Sequence, residues 1–194
     1  MKFNFKIQQY QTDAVNSVVN VFKGQPYQDN VSYRRDIGNK RRIQQYSQAS
    51  FAMDGEQHTV GFTDDFDESG FKNETLMISA DTLLSNIKEV QQSNNVMVSD
   101  SLVDNLGACS LDVEMETGTG KTYVYIKTMY ELNKRYGWSK FIVVVPSIAI
   151  REGVKKSFEI TQDHFMEQYH KKVRFFVYNS SNLNQLDSFS SNSG

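Results

Sequence analysis

Cysteine occurs once in the 194 residues, at Cys109. A single thiol closes no internal disulfide, and it excludes the zinc fingers and ribbons that need several thiolates. Neither sign of charge dominates: 21 Lys and Arg stand against 23 Asp and Glu, a formal net charge of −2. That excludes a whole-chain polycation built to coat nucleic acid, although not a local basic face. No long apolar run exists. The longest, Phe141–Val145, is stopped by Pro146 and is far too short to cross a bilayer. The opening MKFNFKIQQYQ lacks the apolar core of a signal peptide. The expectation is a soluble, cytoplasmic protein with no membrane partner. With 39% hydrophobic and 23% charged residues the composition lies in the globular range, so wholesale disorder is not expected.

Three blocks divide the chain. Residues 1–24 hold one helix: Tyr10, Ala14, Val15, Val18, Val19 and Phe22 fall on one face at a 3.6-residue period, and Gly24 and Pro26 mark its end. Residues 25–101 are polar and irregular. A basic cluster (Arg34, Arg35, Lys40, Arg41, Arg42) precedes an acidic stretch (Asp54, Glu56, Asp64, Asp65, Asp67, Glu68). His58–Thr63 has the alternation of a hairpin strand, and Asp81–Gln92 reads as a short helix with Leu83, Leu84, Ile87 and Val90 on one side. This block reads as an insertion and not as part of the core. Residues 102–194 change again. Cys109–Glu114, Phe141–Val145 and Val173–Tyr178 read as strands, the second buried on both faces. Lys121–Tyr136 reads as a helix ended by Gly137. Ser147 is suited to cap a helix to about Phe158, and Thr161 another to Tyr169. Strands alternating with helices predict an α/β fold with a parallel sheet and flanking helices.

Between the first strand and its helix stands Glu116-Thr117-Gly118-Thr119-Gly120-Lys121-Thr122. Glycines let the backbone curl until consecutive N–H groups face phosphate oxygens. The helix that follows adds the positive end of its dipole. Lys121 brings a full positive charge for the β- and γ-phosphates, and the Thr122 hydroxyl is a ligand for Mg²⁺. The expected cofactors are ATP and Mg²⁺. The pattern G-x-x-x-x-G-K-[ST] has Met115 where its first glycine would stand.

Loss of that glycine with T-G-x-G-K-T kept resembles motif I of superfamily 2 helicases and translocases, RecA-like P-loop NTPases. Tyr10-Gln11 in QQYQTDAV looks like their glutamine motif; a carboxamide can accept from adenine N6–H₂ and donate to N7, so the resemblance casts Gln11 as the adenine reader. Val143–Ser147 followed by Arg151 looks like motif Ia, in which a strand end and helix start meet a nucleic-acid phosphate. Pro146, Ser147 and Arg151 are thus the candidate DNA contacts.

More narrowly, the stretch from Leu111 to about Phe189, with the Phe5–Phe22 block, resembles the restriction (Res) subunit of type III restriction-modification enzymes. Glu116 within the loop and the phrase from Pro146 to Val154 are its most particular points. The resemblance implies an ATP-dependent motor on double-stranded DNA, joined to an endonuclease and working with a methylating, sequence-reading Mod subunit. No acidic D-E-x-x box follows Tyr178, so the RecA-like sheet is expected to be incomplete, truncated before Walker B, with the second motor domain and the nuclease lying elsewhere. Transition-state charge at Lys121 is the one catalytic contribution expected from this chain, which alone is expected to be inactive. The alternatives are a piece of another superfamily 2 DNA helicase, in repair or remodelling, and a nucleotide-binding remnant without catalysis.

Other constellations are weaker. Asp65–Gly70 fits half of a calcium loop, but position twelve is Leu76 instead of glutamate. His58, His164 and His170 lack metal spacing and read as surface or packing residues. The Arg34–Arg42 cluster reads as a charged insertion loop, with contact to DNA phosphates as the alternative, and Cys109 as a small apolar filler.

Overall fold

The computed structural model describes residues 5–34, 69–104, 107–179 and 184–191. Its elements, in chain order, are α1 (Gln9–Val21), β1 (Val31–Arg34), β2 (Ser69–Lys72), α2 (Ala80–Ser93), α3 (Lys121–Tyr136), α4 (Ile148–Tyr169) and α5 (Asn184–Ser190). The helices foreseen at the start of the chain, at Asp81 and at Lys121 all form, the last with the boundaries its sequence predicts.

The four longer helices pack in the order α2, α1, α3, α4. The spacing of apolar residues dictates this. α1 carries Val15 and Val19, both fully buried, against Val124, Leu132, Tyr136 and Trp138 of α3 and its exit. Val124, Leu132 and Tyr136 are multiples of four apart, one face of a helix. Val21 turns the other way, onto Leu83 and Ile87 of α2. A second face of α3, Ile126 and Tyr130, closes on Phe165 of α4. Phe165 is wholly removed from solvent, and burial of such a side chain stabilises the fold by about 2–3 kcal/mol. α3 is therefore buried on two sides, and its N-terminal turn is fixed by both neighbours.

Leu83 and Ile87 are core residues, which corrects the expectation that the 25–101 block stands outside the core, and polar side chains also tie the 69–94 region to this stack. Asn86 Nδ2 donates to the carbonyls of Val21 (3.0 Å) and Lys23 (2.8 Å), which satisfies carbonyls at the end of α1. Asn73 accepts at Oδ1 from the N–H groups of Ser139 and Lys140, both at 2.9 Å, and donates to the Lys140 carbonyl at 2.8 Å.

Two further expectations are corrected. The parallel sheet is not found among the described residues: the one sheet there is antiparallel β1–β2, with Val31 opposite Lys72, and the segments 109–114, 141–145 and 173–178 carry no strand. Phe141 packs on the α1–α3 core, but Ile142 and Val144 are 81% and 88% exposed, so the run is covered on one side instead of two. β-Branched composition suits a pleated surface, but a strand exists only with a hydrogen-bonded neighbour. The second correction concerns Thr161. α4 runs unbroken through it, and its hydroxyl donates to the Ser157 carbonyl at 2.7 Å, one turn back inside the helix, instead of capping a new one. The short helix α5 has no counterpart in the sequence reading.

The possible hairpin strand at His58–Thr63 lies outside the described residues, as do Arg35–Arg42 of the basic cluster and Asp65–Glu68 of the possible calcium loop. Among the described residues no helix is long and apolar enough to cross a membrane.

Candidate functional site

The 116–122 segment forms a tight loop at the head of α3. Gly118 and Gly120 take φ of +84° and +88°, a left-handed conformation that side chains rarely adopt, which is why glycine stands at both places. A side chain at Gly118 would meet nothing within 4 Å, so the backbone is open to close approach there. At Gly120 a Cβ would stand 2.6 Å from Gln11 Nε2.

The Glu116 carbonyl is the hub of the loop. It accepts from the Thr119 hydroxyl at 2.6 Å, the Thr119 N–H at 3.4 Å and the Lys121 ammonium at 2.8 Å. Lys121 is exposed at the start of α3, where the helix leaves its first N–H groups without intrahelical partners. Thr122 is half-buried on the same turn. Thr117 lies in the loop turn, exposed. A positive helix end, an exposed ammonium and a glycine backbone open to approach suit a polyphosphate.

α1 reaches this loop across more than a hundred residues of sequence. Gln11 Nε2 donates to the Thr119 carbonyl at 2.9 Å, and the Tyr10 hydroxyl donates to the same oxygen at 3.2 Å. The glutamine and the glycine loop, far apart in the chain, therefore meet. The Tyr10 contact was not foreseen; nothing in the local sequence signals a hydrogen bond to a residue 109 positions away.

A second support was also missed. Tyr123, in the first turn of α3, shares a 2.9 Å hydrogen bond with His164 Nε2 of α4, and Phe5 lies against both rings. Burial lowers the His164 pKa below its ordinary value and raises the Tyr123 phenol above its own. Burial likewise raises the Tyr125 phenol.

The candidate DNA contacts stand at the head of α4. Pro146 lies in the bend before it; the Ser147 hydroxyl caps the helix by accepting from the Ile150 N–H at 3.3 Å. The Arg151 guanidinium is held by Glu152, with its two nitrogens 3.2 and 3.0 Å from one carboxylate oxygen. His164 is bonded to Tyr123 and His170 ends α4, while His58 lies outside the described residues; among the described residues no group of three or more metal-ligating side chains occurs. Cys109 packs against the α1–α2 core with its thiol pKa raised by burial, as a filler would.

A glycine loop that opens directly into a helix buried on two sides, with a lysine at the junction, has the build of a P-loop protein. The family model for "Type III restriction enzyme, res subunit" matches residues 4–191, and the chain belongs to that family, whose fold is RecA-like. Among characterised relatives, the Res subunit of the type III enzyme EcoP15I from Escherichia coli is 41% identical over 112 residues, and that of EcoPI from Escherichia phage P1 is 37% identical over 112 residues. Each match covers 56% of this chain and 11% of the relative. The StyLTI Res subunit of Salmonella typhimurium is 50% identical over 62 residues, 31% of this chain and 6% of that protein. The chain thus corresponds to a small part of the proteins it resembles.

Proposed function

We propose that this chain is the nucleotide-binding part of the DNA translocase motor of a type III restriction endonuclease, and that it binds ATP with Mg²⁺. The observation that carries the reading is the meeting of the 116–122 loop, Lys121 and Gln11 at the head of α3. In this reading residues 1–24 supply the glutamine motif, 25–101 an insertion, and 102–194 the first half of a RecA-like domain. The backbone of Glu116, Thr117, Gly118, Thr119 and Gly120 lines the phosphates, Lys121 offsets their charge, Thr122 ligates the metal through its hydroxyl, and Gln11 reads adenine. Bound ATP supplies phosphoryl-transfer chemistry. The chain's own part is to hold and orient the triphosphate and to place the Lys121 charge where negative charge grows.

Pro146, Ser147 and Arg151 form the DNA-facing edge. The capped N-terminus of α4 offers N–H groups to a phosphate, and Arg151 would exchange Glu152 for it. In the complete enzyme, ATP turnover drives movement on double-stranded DNA and leads to cleavage, with a Mod subunit reading the sequence. On this reading residues 1–194 by themselves bind ATP without turning it over. The test is titration of the purified chain with ATP and Mg²⁺, beside Lys121→Ala. Saturable binding that weakens in the variant is expected. Absence of binding in the wild-type chain would overturn the reading.

A further inference from the structure

We infer that Tyr10 is a positioning residue for the phosphate loop. Its hydroxyl, acting with the Gln11 amide, clamps the Thr119 carbonyl and so presents the Gly120 N–H to a polyphosphate, whatever base the nucleotide carries. This rests on the reading that the loop binds a triphosphate.

Two donors from consecutive residues of α1 converge on one acceptor, at 3.2 Å from Tyr10 and 2.9 Å from Gln11. That acceptor shares a peptide unit with the Gly120 N–H. The unit is planar and trans, so its C=O and N–H point in opposite directions, and fixing one aims the other. Drawing the Thr119 oxygen toward α1 turns the Gly120 N–H away from α1. The clamp matters because of what flanks it. Gly118 and Gly120, on either side of Thr119, are the residues with the least intrinsic preference for one backbone state. A peptide plane beside such positions turns easily unless something holds it. On its other side Thr119 is held by its own N–H and hydroxyl, both on the Glu116 carbonyl.

The two donors are not equivalent. Gln11 is also the candidate adenine reader, so its amide answers to a base as well as to the loop. The Tyr10 hydroxyl bonds the same carbonyl independently, so the carbonyl keeps a donor if the amide turns toward a base. Its ring is half-exposed and outside the three core clusters, so removing the hydroxyl leaves the packing of α1 unchanged.

Tyr10→Phe deletes the hydroxyl and keeps the ring. Wild-type and variant chains are titrated calorimetrically with ATP, GTP and inorganic tripolyphosphate, each with Mg²⁺. The expected result is the same loss of affinity for all three, about three- to tenfold, the size of one hydrogen bond. A loss confined to ATP would make Tyr10 a base contact and overturn the inference. No loss with any of the three would overturn it too, while leaving the loop as a triphosphate site. A wild-type chain that binds none of them would instead refute the reading of the loop itself, and the inference with it. Should Tyr10→Phe fail to fold, the Gly120 amide resonance of the ¹⁵N-labelled wild-type chain decides: it should shift on saturation with tripolyphosphate, and a stationary resonance counts against the clamp.

Discussion

The Lys121 ammonium rests 2.8 Å from the Glu116 carbonyl oxygen, five residues back along its own loop. The partner is main chain and uncharged, so the lysine leaves it for a phosphate without breaking an ion pair. That makes the charge cheap to redirect and hard to replace.

Lys121→Ala in the complete enzyme should therefore abolish both ATP hydrolysis and DNA cleavage, with a fall in turnover of at least about a hundredfold. Nucleotide binding should survive in part, because the loop amides remain. DNA affinity should be nearly unchanged, since Ser147 and Arg151 belong to another helix. One purified variant assayed for turnover, cleavage and DNA binding checks all three, and intact ATP-dependent cleavage would refute the motor assignment.

Gln11→Ala should weaken ATP more than GTP in the complete enzyme. Guanine presents O6 where adenine presents N6–H₂, so the paired amide contact suits adenine alone, and its loss should cost about 1–3 kcal/mol. Because the amide also donates to the Thr119 carbonyl, a smaller loss common to both nucleotides is expected beneath that difference. Equal losses would mean that Gln11 serves the loop and reads nothing.

Gly120→Ala should destabilise the chain by about 1–2 kcal/mol, the cost of an L side chain in the left-handed region. Its Cβ would also displace the Gln11 amide, now 2.6 Å from that position. A thermal melt should show a midpoint several degrees lower, and triphosphate binding should fall with it. An unchanged midpoint would mean that the loop relaxes out of the conformation described.

His164 should make stability depend on pH. In the unfolded chain a histidine titrates near pH 6.5. In the fold burial lowers its pKa, the nearby Glu167 carboxylate opposes that shift, and the Lys127 ammonium reinforces it. The uncharged phenol of Tyr123 and the ring of Phe5 complete its surroundings. The unfolded state thus binds more protons below about pH 6.5, so the contribution is fully present above that value and is lost as pH falls through the lowered folded pKa. Melts between pH 7.5 and 5.5 should fall more steeply for the wild-type chain than for His164→Gln; parallel profiles would show that His164 does not titrate differently on folding.

Local chemistry was legible where it decides local structure. The 3.6-residue spacing of Val15, Val19 and Phe22, the stop of Lys121–Tyr136 at Gly137, and the Ser147 cap all read directly from the chain. Thr161 misled because a hydroxyl that caps one helix can bond back inside another, and only the continuing apolar face decides between them. The apolar segments misled for a different reason: a sequence shows what a strand is made of but not whether a neighbour lies alongside it. At the site, spacing was enough to find the loop. The convergence of Tyr10 and Gln11 on Thr119 was not visible, because it depends on how α1 packs on α3.

The half-covered run from Phe141 to Val145 has a practical consequence. Ile142 and Val144 point β-branched side chains at water beside a backbone with no strand neighbour among the described residues. Such a surface is a template that a second chain can complete, edge against edge. In concentrated solution the purified polypeptide should self-associate through this run before its helices melt. A charged replacement at Ile142 or Val144 should act as a gatekeeper, raising solubility while leaving the Lys121 loop untouched.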